Sequence, residues 1–225
     1  MEASPVRMTT HPTRAARPDD PLARLVPAAL EGDKAAMRRL LGALVPVVMR
    51  AARRMLGPHH PDTEDVAQLA LSALVERLPQ FRGDSSVAHF AQRIAVYRAI
   101  NTRRDLAFAR RSVARAAAEG QQHPEEWSGP PSPYMTVAAR ADRALLLEAL
   151  DTLSDVQAEA LSLHFLFDHT VGEIAALTGT ADETVRSRLR LGKRALRATI
   201  HTDPRFQALR ADDAPAAEQR GESLG

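Results

Sequence analysis

The sequence predicts an all-α protein: two small helical domains joined by a flexible Pro-rich linker, the second a helix-turn-helix domain. Three observations carry this expectation. Alanine, leucine and arginine are abundant and β-branched runs are scarce, which favours helix over strand. Apolar residues recur at helical spacing on both sides of the middle of the chain. Between those stretches lies QQHPEEWSGPPSPY, residues Gln121–Tyr134, whose four prolines prevent regular packing.

Residues 1–20 hold Pro5, Pro12 and Pro18 among scattered Arg and Thr, and read as a disordered lead. The first domain is expected over 21–106. Leu22–Leu30 and Lys34–Leu56 are apolar-periodic, with Pro46 expected to kink or divide the second stretch. Gly57-Pro58 closes that unit. Asp62 is the expected N-cap of a helix running to about Leu78, and Glu64 and Asp65 in its first turn suit the helix dipole. After the loop Phe81-Arg82-Gly83-Asp84, Ser85 or Ser86 caps a helix from Val87 to about Arg104, with Arg110–Ala118 as a continuation. Residues 107–136 are assigned to the linker and 137–201 to the second domain. The polar, net acidic residues 202–225 are read as a flexible tail.

Within the second domain, Leu153–Arg197 contains three capping boxes of the S/T-x-x-E/Q type: Ser154 with Gln157, Thr170 with Glu173 and Thr180 with Glu183. Gly179 marks a short turn between the second and third helices, the spacing of a helix-turn-helix. Val156, Ala160, Leu163 and Phe167 form the expected apolar line of the first helix, broadened by Leu161 and Phe165. Val171, Ile174, Ala175 and Leu177 serve the second, and Val185, Leu189 and Leu196 the third. On the third helix Arg186, Arg190, Lys193 and Arg197 follow at i, i+4, i+7 and i+11, forming one cationic stripe. Like charges at this spacing repel by roughly 0.2–0.5 kcal/mol per pair. A polyanion such as DNA would neutralise that stripe.

Composition narrows the function classes. The formal net charge of +2 understates how unevenly basic residues are distributed. With no cysteine, disulfides and thiolate metal sites are excluded. No apolar run approaches the ~18 residues of a membrane span and no signal-peptide pattern opens the chain, so a cytoplasmic location without membrane insertion is expected. An enzyme is disfavoured: His59-His60 lacks a third ligand at metal spacing. Gly192-Lys193 lacks the upstream glycine and following Ser/Thr of a phosphate loop. No catalytic residue, metal, cofactor or small-molecule substrate is expected.

Two segments together, DTEDVAQLALSALVERLPQFRGDSSVAHFAQRIAVYRAINTRRD (Asp62–Asp105) and Leu153–Arg197, resemble the extracytoplasmic-function sigma factors, the minimal two-domain specificity subunits of bacterial RNA polymerase. The segments and their flanking helices cover about two-thirds of the chain. The resemblance implies binding to core polymerase and promoter DNA, with an anti-sigma factor as a further partner. It implies that Asp62, Glu64, Asp65, Gln68 and Leu69 dock on the clamp helices of the largest polymerase subunit; Leu69 stands where the family usually has a carboxylate. It also implies that Arg82, Gly83, Asp84, Ser85, Phe90, Arg93, Tyr97, Arg98, Asn101, Arg103 and Arg104 melt and read the −10 element. Phe90 takes a position where tryptophan is common, and it also suits the core beside Val87, Ala91 and Ile94.

For the −35 element, the N-terminal end of a recognition helix enters the major groove. Thr184, Arg186, Ser187, Arg188 and Arg190 are therefore the base-reading candidates, with Arg188 expected to govern promoter choice. Lys193, Arg194 and Arg197 are assigned to phosphates. The family likeness further implies a linker that threads toward the polymerase active centre, containing Trp127 and Tyr134; without an anti-sigma partner, the flexibility of that linker should leave the two domains poorly fixed to each other in the free protein. A stand-alone helix-turn-helix regulator is the rival reading, but it leaves Asp62–Asp105 unexplained. A sigma-mimicking regulator would need a receiver domain for which neither terminus has room.

Overall fold

A computed structural model describes residues 20–118 and 137–206. The lead before Asp20, the proline-rich segment with Trp127 and Tyr134, and the tail beyond Phe206 lie outside the described residues. Among those described, all regular structure is helical. A 3₁₀ turn at Ala23–Leu25 leads into α1 (Val26–Leu30), α2 (Lys34–Leu56) and α3 (Thr63–Arg77). The 3₁₀ turn Leu78–Gln80 precedes α4 (Val87–Ala118). The C-terminal half has α5 (Val137–Asp151), α6 (Asp155–Leu161), α7 (Val171–Thr178) and α8 (Asp182–Thr202).

In the first half, α2, α3 and α4 pack on one another around an apolar centre. Leu40, Leu44, Val48, Ala51, Ala52 and Met55 run along the inner face of α2 and are buried. Val66, Ala70, Ala73 and Leu74 meet them from α3, and Ala91, Ala95, Val96 and Ala99 from α4. Many of these are alanines, so the helices need few large side chains to exclude water.

Pro46 neither divides nor ends α2; it sits inside one 23-residue helix. Its ring removes a single intrahelical donor, while the buried face continues from Leu44 to Val48 on either side. Asp33 caps this helix, its carboxylate accepting from the Ala35 and Ala36 N–H groups at 2.7 and 3.2 Å. Asp62 stands at the N-cap position of α3, but its side chain makes no capping bond. Its own N–H donates instead to His60 Nδ1 at 3.3 Å.

Helix α4 continues through 107–118, the stretch assigned to the linker, where Arg110–Ala118 was expected to extend the helix. Residue 20, placed in the lead, is anchored: the Asp20 carboxylate accepts from Leu22 N–H at 3.0 Å and from Val87 N–H at 2.8 Å. At the other end Phe206 is buried, and Arg205 bridges Asp203 and Glu148, so the first residues of the expected tail also pack.

The two halves are in contact, contrary to the expectation of loosely related domains. Helix α4 packs against α5, α6 and α7. Arg143 of α5 donates to the carbonyls of Arg53 and Arg54 at the C-terminal end of α2. Burial, then Arg54 and Arg103, hold the Arg143 pKa below its ordinary value. Arg54 also lies over the Phe167 ring, 5.4 Å from its centre.

Candidate nucleic-acid interface

The helix-turn-helix is built by its caps. Ser154 opens α6, its N–H donating to Gln157 Oε1 at 3.4 Å. Thr170 opens α7 through the complete reciprocal box: Thr170 Oγ1 accepts from Glu173 N–H at 3.2 Å, and Glu173 Oε2 accepts from Thr170 N–H at 3.0 Å. The Thr170 N–H bond first, joined by the Thr170 hydroxyl donating to the same Oε2 at 3.0 Å, lowers the Glu173 pKa against the opposing effect of burial.

The third box does not form. Thr180 N–H goes to Ala175 O at 3.1 Å and its hydroxyl lies 2.8 Å from Thr178 Oγ1, so Ala181 becomes the N-cap of α8. Gly179 ends α7 at φ +65°, the left-handed conformation that lets the chain turn into α8.

Helix α8 is two-faced. Val185, Leu189 and Gly192 are buried at i, i+4 and i+7, and α8 packs on α6 and α7 along this stripe. Arg186, Arg190, Lys193, Arg194 and Arg197 are exposed, as is Thr184, while Ser187 and Arg188 are half-buried. Arg186 pairs within its own helix with Glu183 at 3.6 Å and Asp182 at 3.9 Å. Lys193 Nζ stands 4.8 Å from the centre of the Phe165 ring. At about 100° per residue, Arg188 lies roughly 200° around the helix from Arg186, off the cationic stripe.

Val156 and Phe165, expected in the core of the first helix, are instead exposed. For Phe165 the cause is local. Ser162–Leu166 form a π-helical turn, and the wider turn shifts the face presented by the residues after it. Asp168 then takes φ +58°, and His164 Nδ1 donates to the His169 carbonyl at 2.8 Å, closing the corner into α7.

In the first half, the loop before α4 carries the other DNA candidates. Gly83 adopts φ +78°, Arg82 is exposed, and Asp84 and Ser85 are half-buried. Ser86, rather than Ser85, caps α4, its Oγ accepting from His89 N–H at 3.1 Å. Phe90 is half-buried and its ring centre lies 5.4 Å from that of Phe81. It therefore contributes to the core edge and lines the cleft below the loop. Tyr97, Arg98 and Asn101 are half-buried further along α4.

Arg93, Arg103 and Arg104 point toward the second half. Arg93 Nε donates to Glu159 Oε1 and its Nη1 to Leu177 O, both at 2.8 Å. Arg103 grips Asp151 with two bonds, of 3.0 and 2.8 Å. Arg104 reaches Asp155 and the Leu153 carbonyl. Beside them Gln92 Oε1 lies 2.7 Å from His169 Nε2, and His89 meets the His169 ring edge-on at 4.4 Å.

Sequence reasoning missed Asp20, Gln92, Asp151, Glu159 and His169. Only the acids offered a signal: Asp151, Asp155 and Glu159 recur every four residues.

On α3, Glu64, Asp65, Gln68 and Leu69 are all exposed, and Asp62 is half-exposed near His60. Val66, Ala70 and Leu74 face inward. The surface thus joins carboxylates, an amide and an apolar side chain.

Comparison with known proteins adds independent findings. The model of Sigma-70 region 2 matches residues 40–109, and that of Sigma-70, region 4 matches residues 143–196. The ECF RNA polymerase sigma factor SigD of Mycobacterium tuberculosis (strain ATCC 25618 / H37Rv) is 30% identical over 169 residues, covering 72% of this chain and 76% of the relative. SigD of Mycobacterium bovis (strain ATCC BAA-935 / AF2122/97) matches to the same extent.

Two solved structures are also similar. The sigma factor RpoE in complex with the anti-sigma factor NepR from Bartonella quintana shares 20% identity, covering 74% of this chain and 97% of that one, with a TM-score of 0.43. CnrH in complex with the cytosolic domain of CnrY shares 20% identity, covering 82% and 99%, with a TM-score of 0.48.

Proposed function

The chain belongs to the extracytoplasmic-function sigma factors, and from that membership we propose a division of labour among its helices. As an alternative sigma factor it binds core RNA polymerase and promoter DNA and directs transcription initiation. In the proposed division, residues 21–106 form the polymerase-binding and −10 module, and 137–201 the −35 module. Helix α8 enters the major groove at its N-terminal end, where Thr184, Arg186, Ser187, Arg188 and Arg190 reach base edges. Lys193, Arg194 and Arg197 hold phosphates further along. The loop Arg82–Ser85 with Phe90, Arg93, Tyr97, Arg98, Asn101, Arg103 and Arg104 captures the opened −10 strand, where bases need a π-face and the backbone needs cations.

The exposed face of α3, Asp62 with Glu64, Asp65, Gln68 and Leu69, docks on the clamp helices of the largest polymerase subunit. An anti-sigma factor completes the partner set. Sigma factors are in general not catalytic, and this chain is read as having no catalytic site. Among the described residues no group of acids and histidines could hold a metal ion, and no helix is long and apolar enough to cross a membrane.

The observation that carries the reading is the cationic outer face of α8 opposite its buried stripe of Val185, Leu189 and Gly192. A scaffold helix has no need of such a face, whereas a groove-binding helix requires one. The test is to add the purified chain to core polymerase and map transcription starts on genomic DNA. Discrete starts that depend on the chain are expected; an unaltered start map would remove the reading.

A further inference from the structure

From Arg186 to Arg197, six residues of α8 are exposed and five of them are basic. The sixth is Leu191, 45% exposed. A single solvated leucine is ordinary on a protein surface, but the place of this one on the helix is not. The buried line of Val185, Leu189 and Gly192 sets the inner pole of α8. At about 100° per residue, Arg190 and Leu191 fall roughly 50° to either side of the outer pole, with Ser187 between them. Arg186, Arg190, Lys193 and Arg197 line a groove of about 610 Å³ against His164 and Val171. Leu191 stands on the opposite flank. Along the axis it lies about 1.5 Å beyond Arg190 and ahead of Lys193, where the proposed base readers give way to the phosphate holders.

A leucine has no hydrogen-bonding group to offer a phosphate, and a helix built for affinity alone would gain nothing from it there. The base edges of the major groove present an alkyl side chain with one apolar partner, the C5-methyl group of thymine. We propose that Leu191 reads a thymine methyl in the −35 element. Burying the exposed isobutyl group against that methyl removes apolar surface from water on both sides of the interface. Cytosine, adenine and guanine present polar groups to the groove instead, and leucine leaves those without a partner. Consecutive residues on the outward face then read two base chemistries: Arg190 the guanine acceptors, Leu191 the thymine methyl. This inference rests on the −35 reading of α8 and deepens it.

Uracil differs from thymine by the methyl group alone, so it isolates the contact. The full chain is assembled with core polymerase, and promoter duplexes taken from its own start sites carry single thymine-to-uracil replacements through the −35 element. One replacement should weaken binding about three- to fivefold, the effect of withdrawing one methyl group from an apolar contact. In Leu191→Ala the thymine and uracil duplexes should bind equally, whereas Leu191→Met, which keeps an apolar side chain of similar bulk, should retain the preference. Arg197→Ala should weaken both duplexes alike and leave their ratio unchanged.

Uracil replacements that are silent throughout the −35 element would overturn the proposal, as would a uracil penalty that persists in Leu191→Ala. A fall in transcript yield in Leu191→Ala that is the same on both duplexes would place Leu191 against a protein partner and overturn the proposal too. Each of these outcomes leaves promoter selection intact and strikes the methyl contact alone. An assembled complex that prefers no promoter sequence strikes the −35 reading itself, and this inference with it.

Discussion

A Cβ on Gly192 of α8 would lie 2.8 Å from Leu161 Cδ1 and 3.3 Å from Leu161 Cγ on α6. The two helices cross here at a distance that excludes an ordinary side chain, and Gly192 is buried on the inner stripe of α8. An alanine gains about 0.5–1 kcal/mol of helix propensity. Forcing a methyl group into a packed crossing costs typically 1–3 kcal/mol. Crowding wins, because Leu161 is itself buried and has little room to turn. Gly192→Ala should lower the urea midpoint by an amount equivalent to about 1 kcal/mol, and Leu161→Val should recover part of it in the double variant. A midpoint at or above the original would show that α8 moves away freely.

His169 supplies a pH-dependent term. It is buried beside α4, and burial first, then His89, lower its pKa against the opposing influence of Glu173 and Asp168. A folded chain that keeps this imidazole neutral takes up fewer protons than the unfolded chain as pH falls. Its contribution is therefore complete above the unfolded value of about 6.5, and shrinks below that value until the folded site protonates. Stability measured by urea titration should fall as pH drops past about 6.5, and His169→Gln should flatten that slope. Glu173, whose pKa is lowered mainly by the Thr170 backbone, acts in a separate window: its contribution is present above about 4.3 and is lost as pH falls further, through the folded pKa. An unchanged slope in His169→Gln would assign the decline to other groups.

Much of the second half was legible because caps and periodicity are local. The Thr170–Glu173 box and the Gly179 turn are where the residues place them. Thr180–Glu183 has the same letters and fails, since Ala175 O and Thr178 Oγ1 already engage Thr180. A box pattern cannot reveal a competitor two residues upstream. Phe165 was misplaced because a π turn adds a residue that a 3.6-residue period does not anticipate. The contact between halves was illegible for another reason. Arg93 and Glu159 are 66 residues apart, Arg103 and Asp151 are 48 apart, and no periodicity links them. Arginines expected to face DNA and arginines facing carboxylates look alike in sequence.

Asp20 provides a long-range cap that tests whether residues before α1 set the position of α4. Its carboxylate serves Leu22 N–H and Val87 N–H together, joining the turn before α1 to the start of α4. Loss of a capping side chain costs typically ~1 kcal/mol, and the helix dipole adds to a charged cap. Asp20→Ala should destabilise by about 1–2 kcal/mol. Asp20→Asn, which retains an acceptor, should lose less. Amide exchange at Val87 should quicken in the alanine variant while exchange in α8 stays unchanged. Equal exchange at Val87 in both proteins would deny the cap its role.

Position along α8 separates affinity from sequence preference. Arg190 and Arg197 share the exposed cationic stripe, but Arg197 lies seven residues further from the N-terminal end, about 10 Å along the axis. Arg188, singled out from sequence, is half-buried and lies off that stripe, whereas Arg190 is exposed on it and stands among the proposed base readers. A guanidinium pairing two acceptors on guanine gives about 1–3 kcal/mol of discrimination, whereas a phosphate contact contributes equally at every sequence. Arg190→Ala should therefore weaken binding to the preferred −35 site far more than to single-base variants of it, compressing the ranking. Arg197→Ala should weaken all sites alike and reduce the salt slope by about 1. Both substitutions remove one charge from the same face, so a purely electrostatic helix would respond identically to each. A panel of −35 duplexes giving two superimposable profiles would refute the assignment of Arg190 to bases.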